Sequence, residues 1–421
     1  MKRIPNISYT VKHDICTGCG ICEGACPSHA IKMQVSKGNF RPVIDENLCK
    51  NGKGCHRCYD ACPGVGVNLN ELAQEAFTSD KIKHDKFVGS YLKCFTGHSN
   101  DYDVRYHCAS GGMVSQFLIW LLEHGKVDGA VVTSFDRDAP LMVRSYIATT
   151  REEILAAKSS KYSPVTLNHA IQDIKNAEGT RYIIVGVPCH IEGFRKYEQL
   201  DRKFREKILG YFAIYCSSGR SFYLTEHIFQ ERNIDKTKLT YFAYRDNGCL
   251  GNMVAKGDGI SHEERFQDYY QPLRSFFVPR RCTMCIDHYG ELGDVSFGDV
   301  HIDPYIDDSI GVNSLVIRNQ TFLDWLYEAK QDGTITLDEV TVDLINKSQV
   351  MARIKKYRNS SFIRFNKALG KVVPQYDVLP QGGNMLKWFV SYVHTGIQQT
   401  IGKHKYLWFL ISVLKGKGCK R

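Results

Sequence analysis

The sequence predicts an α/β protein in three parts: a cysteine-rich N-terminal domain, an α/β core with a mostly parallel or mixed sheet, and a basic helical C-terminal segment. First, eight of the 16 cysteines fall between residues 16 and 62. Second, stretches typical of strands and of helices alternate from about residue 88 onward. Third, residues 350–421 contain 14 Lys and Arg and a single acidic residue, Asp377. We place the boundaries at residues 1–75, 76–345 and 346–421.

The composition argues against several classes of protein. With 43% hydrophobic and 24% charged residues, the chain has the make-up of an ordinary globular protein. No run reaches the roughly 18 apolar residues of a membrane span, and no apolar stretch follows Lys2 and Arg3 as in a secretory signal. We therefore expect a cytoplasmic protein whose reduced thiols serve metals. The net charge of +10 comes from the C-terminal segment, which has no nucleic-acid recognition motif. We therefore expect no nucleic-acid binding.

The N-terminal domain carries two cysteine runs, each followed by proline. The first run is C-x2-C-x2-C-x3-C-P, the spacing of bacterial ferredoxins with two [4Fe–4S] clusters. Because the fourth cysteine of such a run binds the other cluster, the first cluster should be held by Cys16, Cys19, Cys22 and Cys62. The second cluster should then be held by Cys26, Cys49, Cys55 and Cys58.

The second run departs from this spacing, because five residues separate Cys49 from Cys55. The inserted residues, Lys-Asn-Gly-Lys-Gly, are basic and contain two glycines that make a wider loop easy. A pair of zinc sites is the alternative, since zinc is also bound by four thiolates. The two Cys-Pro endings and the doubled motif favour iron–sulfur clusters.

The core is predicted from periodicity and from helix signals. The residues of a buried helix occupy 113–124, and Thr150 with Glu153 forms a capping box that opens a second helix. Stretches rich in β-branched and aromatic residues predict strands. These stretches are residues 127–135, 141–149, 181–187, 208–216, 239–245, 294–300 and 313–318.

Four cysteines of the core form a second candidate metal centre. Cys282 and Cys285 have C-x2-C spacing, which supplies half of a tetrahedral site. Cys189 and Cys216 each follow a predicted strand, and neighbouring parallel strands end at the same edge of a sheet. The four thiols could therefore bind a third [4Fe–4S] cluster or a zinc ion, or the strand-end cysteines could simply pack in the core. We interpret the remaining core cysteines as structural: Cys94, Cys108 and Cys249.

Two further stretches could contact a cofactor. Ser110, Gly111 and Gly112 precede the helix at 113–124, where backbone N–H groups and the helix dipole favour a phosphate. An ordinary turn before a helix is the alternative. The polar stretch at 158–164 offers hydroxyls, a cation and a ring, although an ordinary surface loop would have the same composition.

Together these residues resemble the beta-subunit family of coenzyme F-420 hydrogenases and dehydrogenases, which are iron–sulfur flavoproteins. The matching stretches are residues 110–112, 127–130, 160–163, 186–189, 215–216, 282–285 and 293–299. The resemblance implies that a third [4Fe–4S] cluster is bound by Cys189, Cys216, Cys282 and Cys285. It also implies FAD contacts at Ser110, Gly111, Gly112, Ser160, Lys161, Tyr162, Gly186, Pro188, Gly298 and Asp299.

The resemblance implies an oxidoreductase that couples one-electron transfer through the clusters to hydride transfer at FAD. Expected partners are a small-molecule redox substrate, which could be coenzyme F-420, and a protein that donates or accepts electrons. A role in polysaccharide metabolism is a further expectation. One alternative is a non-catalytic subunit that relays electrons to a partner enzyme, and another is a zinc-bound scaffold protein. We identify no catalytic acid or base. His190, where many relatives have Gln, is nearest by position, but a packing or capping role is its more ordinary interpretation.

The end of the C-terminal segment has an amphipathic pattern. Leu386, Phe389, Val393, Ile397 and Ile401 recur at helical spacing and should form one apolar face. The more ordinary interpretation is a helix that docks on the body of the protein. The alternative is an interfacial helix held by anionic lipid, which would place the protein peripherally at the inner face of the membrane.

Overall fold

The computed structural model describes residues 4–136 and 141–416. Five residues of the predicted C-terminal segment, 417–421, therefore lie outside the described part. The N-terminal domain consists of short elements around its cysteines. Its elements are α1 (Ser8–Lys12), α2 (Ile21–Gly24), β1 (Ile31–Ser36), β2 (Asn39–Ile44), α3 (Arg57–Asp60), β3 (Gly66–Val67) and α4 (Leu69–Ala76).

The first half of the core alternates strands and helices as predicted. Helix α7 begins after Thr150, whose side chain accepts a hydrogen bond from the Glu153 N–H at 3.3 Å. The elements are β4 (Lys83–Asp85), β5 (Gly89–Tyr91), β6 (Lys93–Ser99), α5 (Tyr102–His107), α6 (Met113–Glu123), β7 (Gly129–Phe135), β8 (Val143–Ala148), α7 (Arg151–Ala156), α8 (Ala170–Asn176), β9 (Tyr182–Gly186), α9 (Pro188–Glu198), α10 (Arg202–Arg205) and β10 (Ile208–Ile214).

The second half of the core adds a separate antiparallel sheet before the chain returns to the main one. Its elements are α11 (Tyr223–Arg232), β11 (Leu239–Asp246), β12 (Asn252–Gly257), β13 (Ile260–Arg265), α12 (Phe266–Tyr269), β14 (Val295–Asp299), β15 (Asn313–Ile317), α13 (Gln320–Gln331) and β16 (Ile335–Val340). The predicted strand at 239–245 forms β11, which pairs with β12 outside the main sheet.

The main sheet is mixed, as the sequence predicts. Its strand order is β16-β6-β15-β14-β10-β9-β7-β8. The four central strands, β14, β10, β9 and β7, are parallel, whereas the strands on either side are antiparallel to their neighbours. Because β9, β10 and β14 run in the same direction, the residues that follow them meet at one edge of the sheet.

The two faces of the main sheet are covered by different parts of the chain. Along β9, Ile184 packs on the face that also receives Ile21 and Ala61 of the N-terminal domain. The neighbouring Ile183 packs on the opposite face with Phe117 of α6. This alternation is expected for a strand buried on both sides. The N-terminal domain and the core therefore share one hydrophobic core.

The C-terminal segment is not a simple appendage. Its elements are α14 (Val342–Ser348), α15 (Val350–Ile354), α16 (Ser360–Ala368), β17 (Gln375–Tyr376), α17 (Met385–Lys403) and α18 (Ile411–Leu414). A π-helical turn, Lys355–Asn359, connects α15 to α16, and β17 pairs in parallel with β3 of the N-terminal domain. Within residues 4–136 and 141–416 we find no helix whose length and hydropathy would let it span a bilayer.

Candidate metal centres and cofactor site

The cysteines predicted to hold the second cluster line a single pocket. Cys26, Cys49, Cys55 and Cys58 all lie on its wall. The five residues inserted between Cys49 and Cys55 begin with a 3₁₀ turn, Lys50–Lys53. The Asn51 side chain donates to the Cys55 carbonyl at 2.8 Å and closes this loop. The insertion therefore widens the loop without removing Cys49 from its set, and a pocket lined by four thiols suits a cluster.

The cysteines predicted to hold the first cluster also lie together. Burial raises the pKa of the Cys19 thiol to about 12, and the nearby Cys62 and Cys16 thiols add to the rise. Burial likewise raises the pKa of Cys22, beside the same three thiols. Four buried thiols are costly to ionise on their own, whereas bound iron supplies the positive charge that stabilises thiolates. This arrangement suits a metal cluster.

The structure brings the four core cysteines together from three places in the chain. Cys189 is the second residue of α9, and Cys216 follows β10. Cys282 and Cys285 lie in and just after a 3₁₀ turn, Arg280–Met284. Burial raises the pKa of Cys189, and the thiols of Cys19, Cys216 and Cys282 contribute. The predicted convergence at the edge of the parallel strands is thus present, and Cys19 of the N-terminal domain lies beside it.

All three sets offer the same donors, four thiols each. Within residues 4–136 and 141–416, no three His, Cys, Asp or Glu side chains are grouped closely enough to hold one metal ion. The thiolates of a cubane surround four irons and are spread more widely than the ligands of one ion. The donor chemistry of all three sets, four thiols each, suits [4Fe–4S] clusters.

Two residues of the π-helical turn support the core cysteines, and sequence patterns did not identify them. The Lys355 ammonium donates to the carbonyls of Cys216, at 2.7 Å, and Asp287. The Asn359 amide donates to the Cys285 carbonyl at 2.7 Å. Burial alone lowers the pKa of Lys355, but the thiols of Cys285 and Cys216 raise it overall, so the side chain is a cation. The sequence gives no signal that separates Lys355 from the neighbouring cations Lys356 and Arg358.

Arginine and lysine side chains attach the N-terminal domain to this centre. Arg281, which is buried, donates to the carbonyls of Pro63 at 2.8 Å and Gly64 at 3.1 Å. Lys196 of α9 donates to the Cys62 carbonyl at 2.8 Å. These bonds join α9 and the Arg280–Met284 turn, which carry core cysteines, to the backbone at and just after Cys62. The relative position of the two centres is therefore fixed by hydrogen bonds.

A glycine allows the helices of the two domains to approach. A Cβ atom at Gly193 of α9 would lie 2.8 Å from Cγ1 of Ile21 in α2. Such a contact is shorter than van der Waals distance, so a larger residue would separate the two helices. Cys22 lies in α2 and Cys189 in α9. Gly193 thus determines how closely the first and third cysteine sets approach.

Glu192 lies fully buried beside the core centre. Neither of its carboxylate oxygens has a hydrogen-bond partner among the described residues. Burial raises the pKa of Glu192 to about 8, and the nearby carboxylates of Asp287 and Glu291 raise it further. The cations of Arg281 and Lys355 oppose this rise. The side chain is therefore largely neutral at pH 7.

Arg245 joins three of the stretches for which the resemblance implies FAD contacts. Its guanidinium donates to Ser110 Oγ at 3.1 Å and to Asp299 at 3.1 Å, and its backbone carbonyl accepts from Ser159. Burial raises the pKa of Asp299, but Arg245 and His301 lower it overall. Asp299 ends β14, at the same sheet edge as the core cysteines. Sequence patterns did not identify Arg245, because it lies in a strand of the second sheet.

The space and the N–H groups of the glycine turn before α6 are partly taken up by the protein itself. Ser110, Gly111 and Gly112 all have positive φ, which favours glycine. A Cβ at Gly111 would lie 2.8 Å from the carbonyl oxygen of Gly311, so the close approach is to backbone. The Met113 N–H donates to the Asn313 side chain at 3.0 Å. This N–H, the first of α6, is thus not free to bind a phosphate.

The remaining predicted FAD contacts lie in two places. Lys161 donates to the Lys158 carbonyl at 2.7 Å, and burial lowers its pKa to about 7. The ring of Tyr162 packs at a tilt against Tyr270, with ring centroids 4.3 Å apart. Ser160 precedes Lys161 in the same loop. Gly298 lies beneath the ring of Tyr215, which would overlap a Cβ there.

The turn after β9 is occupied by His190. Burial lowers the pKa of His190 to about 4, so the ring is neutral, and it accepts from the Val187 N–H at 3.4 Å. A Cβ at Gly186 would lie 2.8 Å from His190 Cβ, and Pro188 begins α9. His190 therefore caps the helix, the role that we considered the more ordinary one.

Comparison with protein families identifies both domains. Residues 15–86 match the 4Fe-4S dicluster domain. Residues 94–172 match the N-terminal part, and residues 179–343 the C-terminal part, of the beta subunit of coenzyme F420 hydrogenase/dehydrogenase. The predicted two-cluster domain, fold class and family resemblance are confirmed.

Individual relatives are distant. A coenzyme F420-dependent sulfite reductase of Methanocaldococcus jannaschii is 25% identical over 75% of this chain, and the match spans only 46% of that protein. A coenzyme F420 hydrogenase subunit beta of Methanosarcina barkeri is 23% identical over 68% of this chain and 96% of its own length. A chain of the F420-reducing [NiFe] hydrogenase complex of the same organism superposes with a TM-score of 0.54 at 21% identity, covering 68% of this chain and 96% of that chain. The solved structure shows a shared fold.

Proposed function

The chain belongs to the coenzyme F420 hydrogenase/dehydrogenase beta-subunit family, and from this membership we propose that it is an iron–sulfur flavoprotein oxidoreductase. It conducts single electrons through three [4Fe–4S] clusters and exchanges two electrons with a small molecule at FAD. Coenzyme F420 is the first candidate substrate, because the names of several relatives specify it. The observation that carries the proposal is the position of Cys19 beside Cys189, which brings the N-terminal cluster site next to the core cysteines.

The cysteine sets define an order for electron transfer. Cys49 and Cys55 of the second set are partly exposed, whereas the four cysteines of the first set are buried. An electron-carrying protein partner would therefore meet the second cluster, and the first cluster would connect it to the third. Arg281, Lys196 and Gly193 hold these sites in contact. Fixed spacing between sites is what a chain of one-electron carriers requires.

FAD would complete the function, because a bound flavin accepts single electrons and releases two as hydride. Asp299 and Ser110, held by Arg245, and the loop of Lys161 and Tyr162 would contact it. The remaining predicted FAD contacts are supported only by the family resemblance. Arg245 would position Ser110 and Asp299 toward the flavin while neutralising the carboxylate. We assign no proton transfer, since His190 is neutral and caps a helix.

A non-catalytic relay is the second candidate. One observation favours it: the relatives include hydrogenase subunits, whose names place them within larger enzymes. In this case the chain would pass electrons between a partner enzyme and another carrier. The expected role in polysaccharide metabolism remains a prediction from the resemblance.

The first test is chemical analysis of the full chain reconstituted without oxygen. Three cubanes require about 12 iron and 12 sulfide atoms per chain, with one FAD. The Cys189→Ser variant should lose about four iron atoms, whereas Cys94→Ser, which removes a buried thiol from the main sheet, should lose none. About eight iron atoms in the wild-type chain would contradict the third cluster, and absence of bound FAD would contradict the flavoprotein proposal.

The second test separates the enzyme from the relay. The reconstituted chain is mixed with reduced coenzyme F420 and an artificial one-electron acceptor, and absorbance of both is followed. Reduction of the acceptor by the isolated chain supports the oxidoreductase. Cluster reduction by a chemical donor without any reaction of F420 favours the relay or another substrate.

A further inference from the structure

Helix α17 is amphipathic, but most of its aliphatic residues do not attach it to the protein. On the attached side Tyr392 packs against Phe362 and Phe365 of α16, and Thr395, Gln398 and Gly402 are buried. Phe389, at the border of the two sides, meets Phe365 edge to face. Gln398 accepts from the Ser275 N–H at 3.3 Å, and Gln399 donates to the Val278 carbonyl at 2.8 Å. A surface helix normally turns its apolar side toward the core, so this orientation is the reverse of the usual one.

The apolar side of α17 faces away from the protein. Leu386 is 72% exposed and Val390 is 61% exposed, which is unusual for large aliphatic side chains on a docked helix. The other exposed apolar residues of the helix are Met385, Phe389, Val393 and Ile397. Ile401, which we expected on this face, is buried instead with Phe276 and Trp408. The helix thus presents a continuous apolar strip about four turns long.

The chain that follows α17 repeats this arrangement. Trp408 and Ile411 are buried against the same cluster as Ile401. Between and beyond them, Phe409 is 70% exposed and Val413 is also exposed, with Tyr406 beside them in sequence. Two successive segments therefore use a few residues to attach to the protein and direct the larger apolar residues outward. Contiguous exposed apolar surface of this kind marks a contact site.

The charge of this region defines the chemistry of its partner. Residues 378–421 contain seven Lys and Arg and no Asp or Glu. Three of the lysines, Lys403, Lys405 and Lys415, also pair with carboxylates of the body, yet each remains at least one-third exposed. Exposed pairs of this type contribute little and exchange readily. A partner must therefore offer apolar volume together with negative charge.

We propose that the outward face of α17 and of residues 405–414 seats on an anionic phospholipid bilayer. Leu386, Phe389, Val390, Val393 and Ile397 enter the boundary between headgroups and acyl chains, and the lysines contact lipid phosphates. A helix of this kind lies in the plane of the interface and does not cross the bilayer. Attraction of basic residues to an anionic leaflet adds to the burial of the apolar strip. The proposal does not depend on the flavin or on the third cluster.

The test is flotation of the reconstituted full chain with phospholipid vesicles. One set of vesicles is phosphatidylcholine alone, and the other contains about one-third phosphatidylglycerol. The test variant is Leu386→Glu with Val390→Glu, at two exposed positions. The matched control is Val35→Glu with Val43→Glu, which makes the same chemical change at exposed positions of the β1–β2 hairpin. Iron content and circular dichroism verify that both variants fold.

We expect the wild-type chain and the control variant to float with anionic vesicles, less with neutral vesicles, and less at high salt. The Leu386→Glu/Val390→Glu variant should bind roughly tenfold more weakly or worse. Three results would overturn the proposal: no flotation of the wild-type chain, equal flotation with neutral and anionic vesicles, or equal flotation of both variants. A dimer that the test variant dissociates, without any flotation, would assign the face to a second copy of the chain.

Discussion

Replacing Lys355 by Met tests whether its ammonium raises the reduction potential of the proposed third cluster. The side chain is 1% exposed and donates to two carbonyls next to the core cysteines. Methionine has a similar length and no charge, so the substitution removes a cation with little change in volume. Since reduction adds negative charge to a cluster, loss of a nearby cation should make reduction harder. The midpoint potential should therefore fall.

The size of the shift follows from Coulomb's law. The ammonium lies 2.7 Å from the Cys216 carbonyl oxygen. At an effective dielectric constant of about 20, a unit charge about 7 Å from a redox centre contributes about 2.4 kcal/mol. For one electron this corresponds to roughly 100 mV. Two carbonyls also lose their donor, so the free energy of unfolding should fall by about 1–3 kcal/mol.

The assay is a redox titration followed by electron paramagnetic resonance of the reconstituted chain. Lys356→Met is the matched control, because the neighbouring Lys356 ammonium is paired with Glu291 at 2.8 Å and its charge is largely compensated. We expect a shift of one cluster in Lys355→Met and a much smaller one in Lys356→Met. Equal shifts in both variants, or no shift in Lys355→Met, would refute the electrostatic reasoning.

Three further predictions concern stability. Gly193→Ala should lower the free energy of unfolding by about 1 kcal/mol or more, because the added methyl group overpacks the contact between the helices. Gly396→Ala, at a helical glycine with open space around it, should instead raise the free energy of unfolding by about 0.5–1 kcal/mol. Urea unfolding measures both changes. The pKa of Asp299 is below its ordinary value in the folded protein, so its pair with Arg245 contributes stability above about pH 4 that is lost as the pH falls. Asp299→Asn should therefore destabilise the protein at pH 7 and make its stability depend less on pH in the acid range. An unchanged acid unfolding curve would contradict this prediction. Asp377→Ala removes the carboxylate that accepts from two N–H groups at the start of α4 and should cost about 1 kcal/mol in thermal unfolding.

The parts of the protein that were predictable are those with local signals. The spacing of the N-terminal cysteines predicts two clusters, because three of the four ligands of each cubane lie within a few residues of each other. Cys189 and Cys216 were predictable because each follows an apolar strand, and parallel strands end at one sheet edge. The Thr150 cap was predictable because its partner Glu153 is three residues away. In each case the chemistry depends on sequence neighbours or on a general rule of sheet topology.

The residues that sequence analysis missed act over long separations. Lys355 lies 139 residues from Cys216, and Arg245 lies 135 residues from Ser110. Neither belongs to a motif, and both were counted only as positive charge. Lys355 was assigned to the basic C-terminal segment, although burial makes it part of the core. The orientation of α17 could not be predicted either, because an amphipathic pattern does not show which side of the helix packs on the protein.

The pairing of β3 with β17 has a consequence for biosynthesis. The N-terminal domain is synthesised before the core, yet the partner of its strand at Gly66–Val67 is Gln375–Tyr376. The carboxylate that binds the start of α4 comes from Asp377, 308 residues after Leu69. The domain is therefore completed only when most of the chain has been translated, although domains generally fold as units with the N-terminal one first.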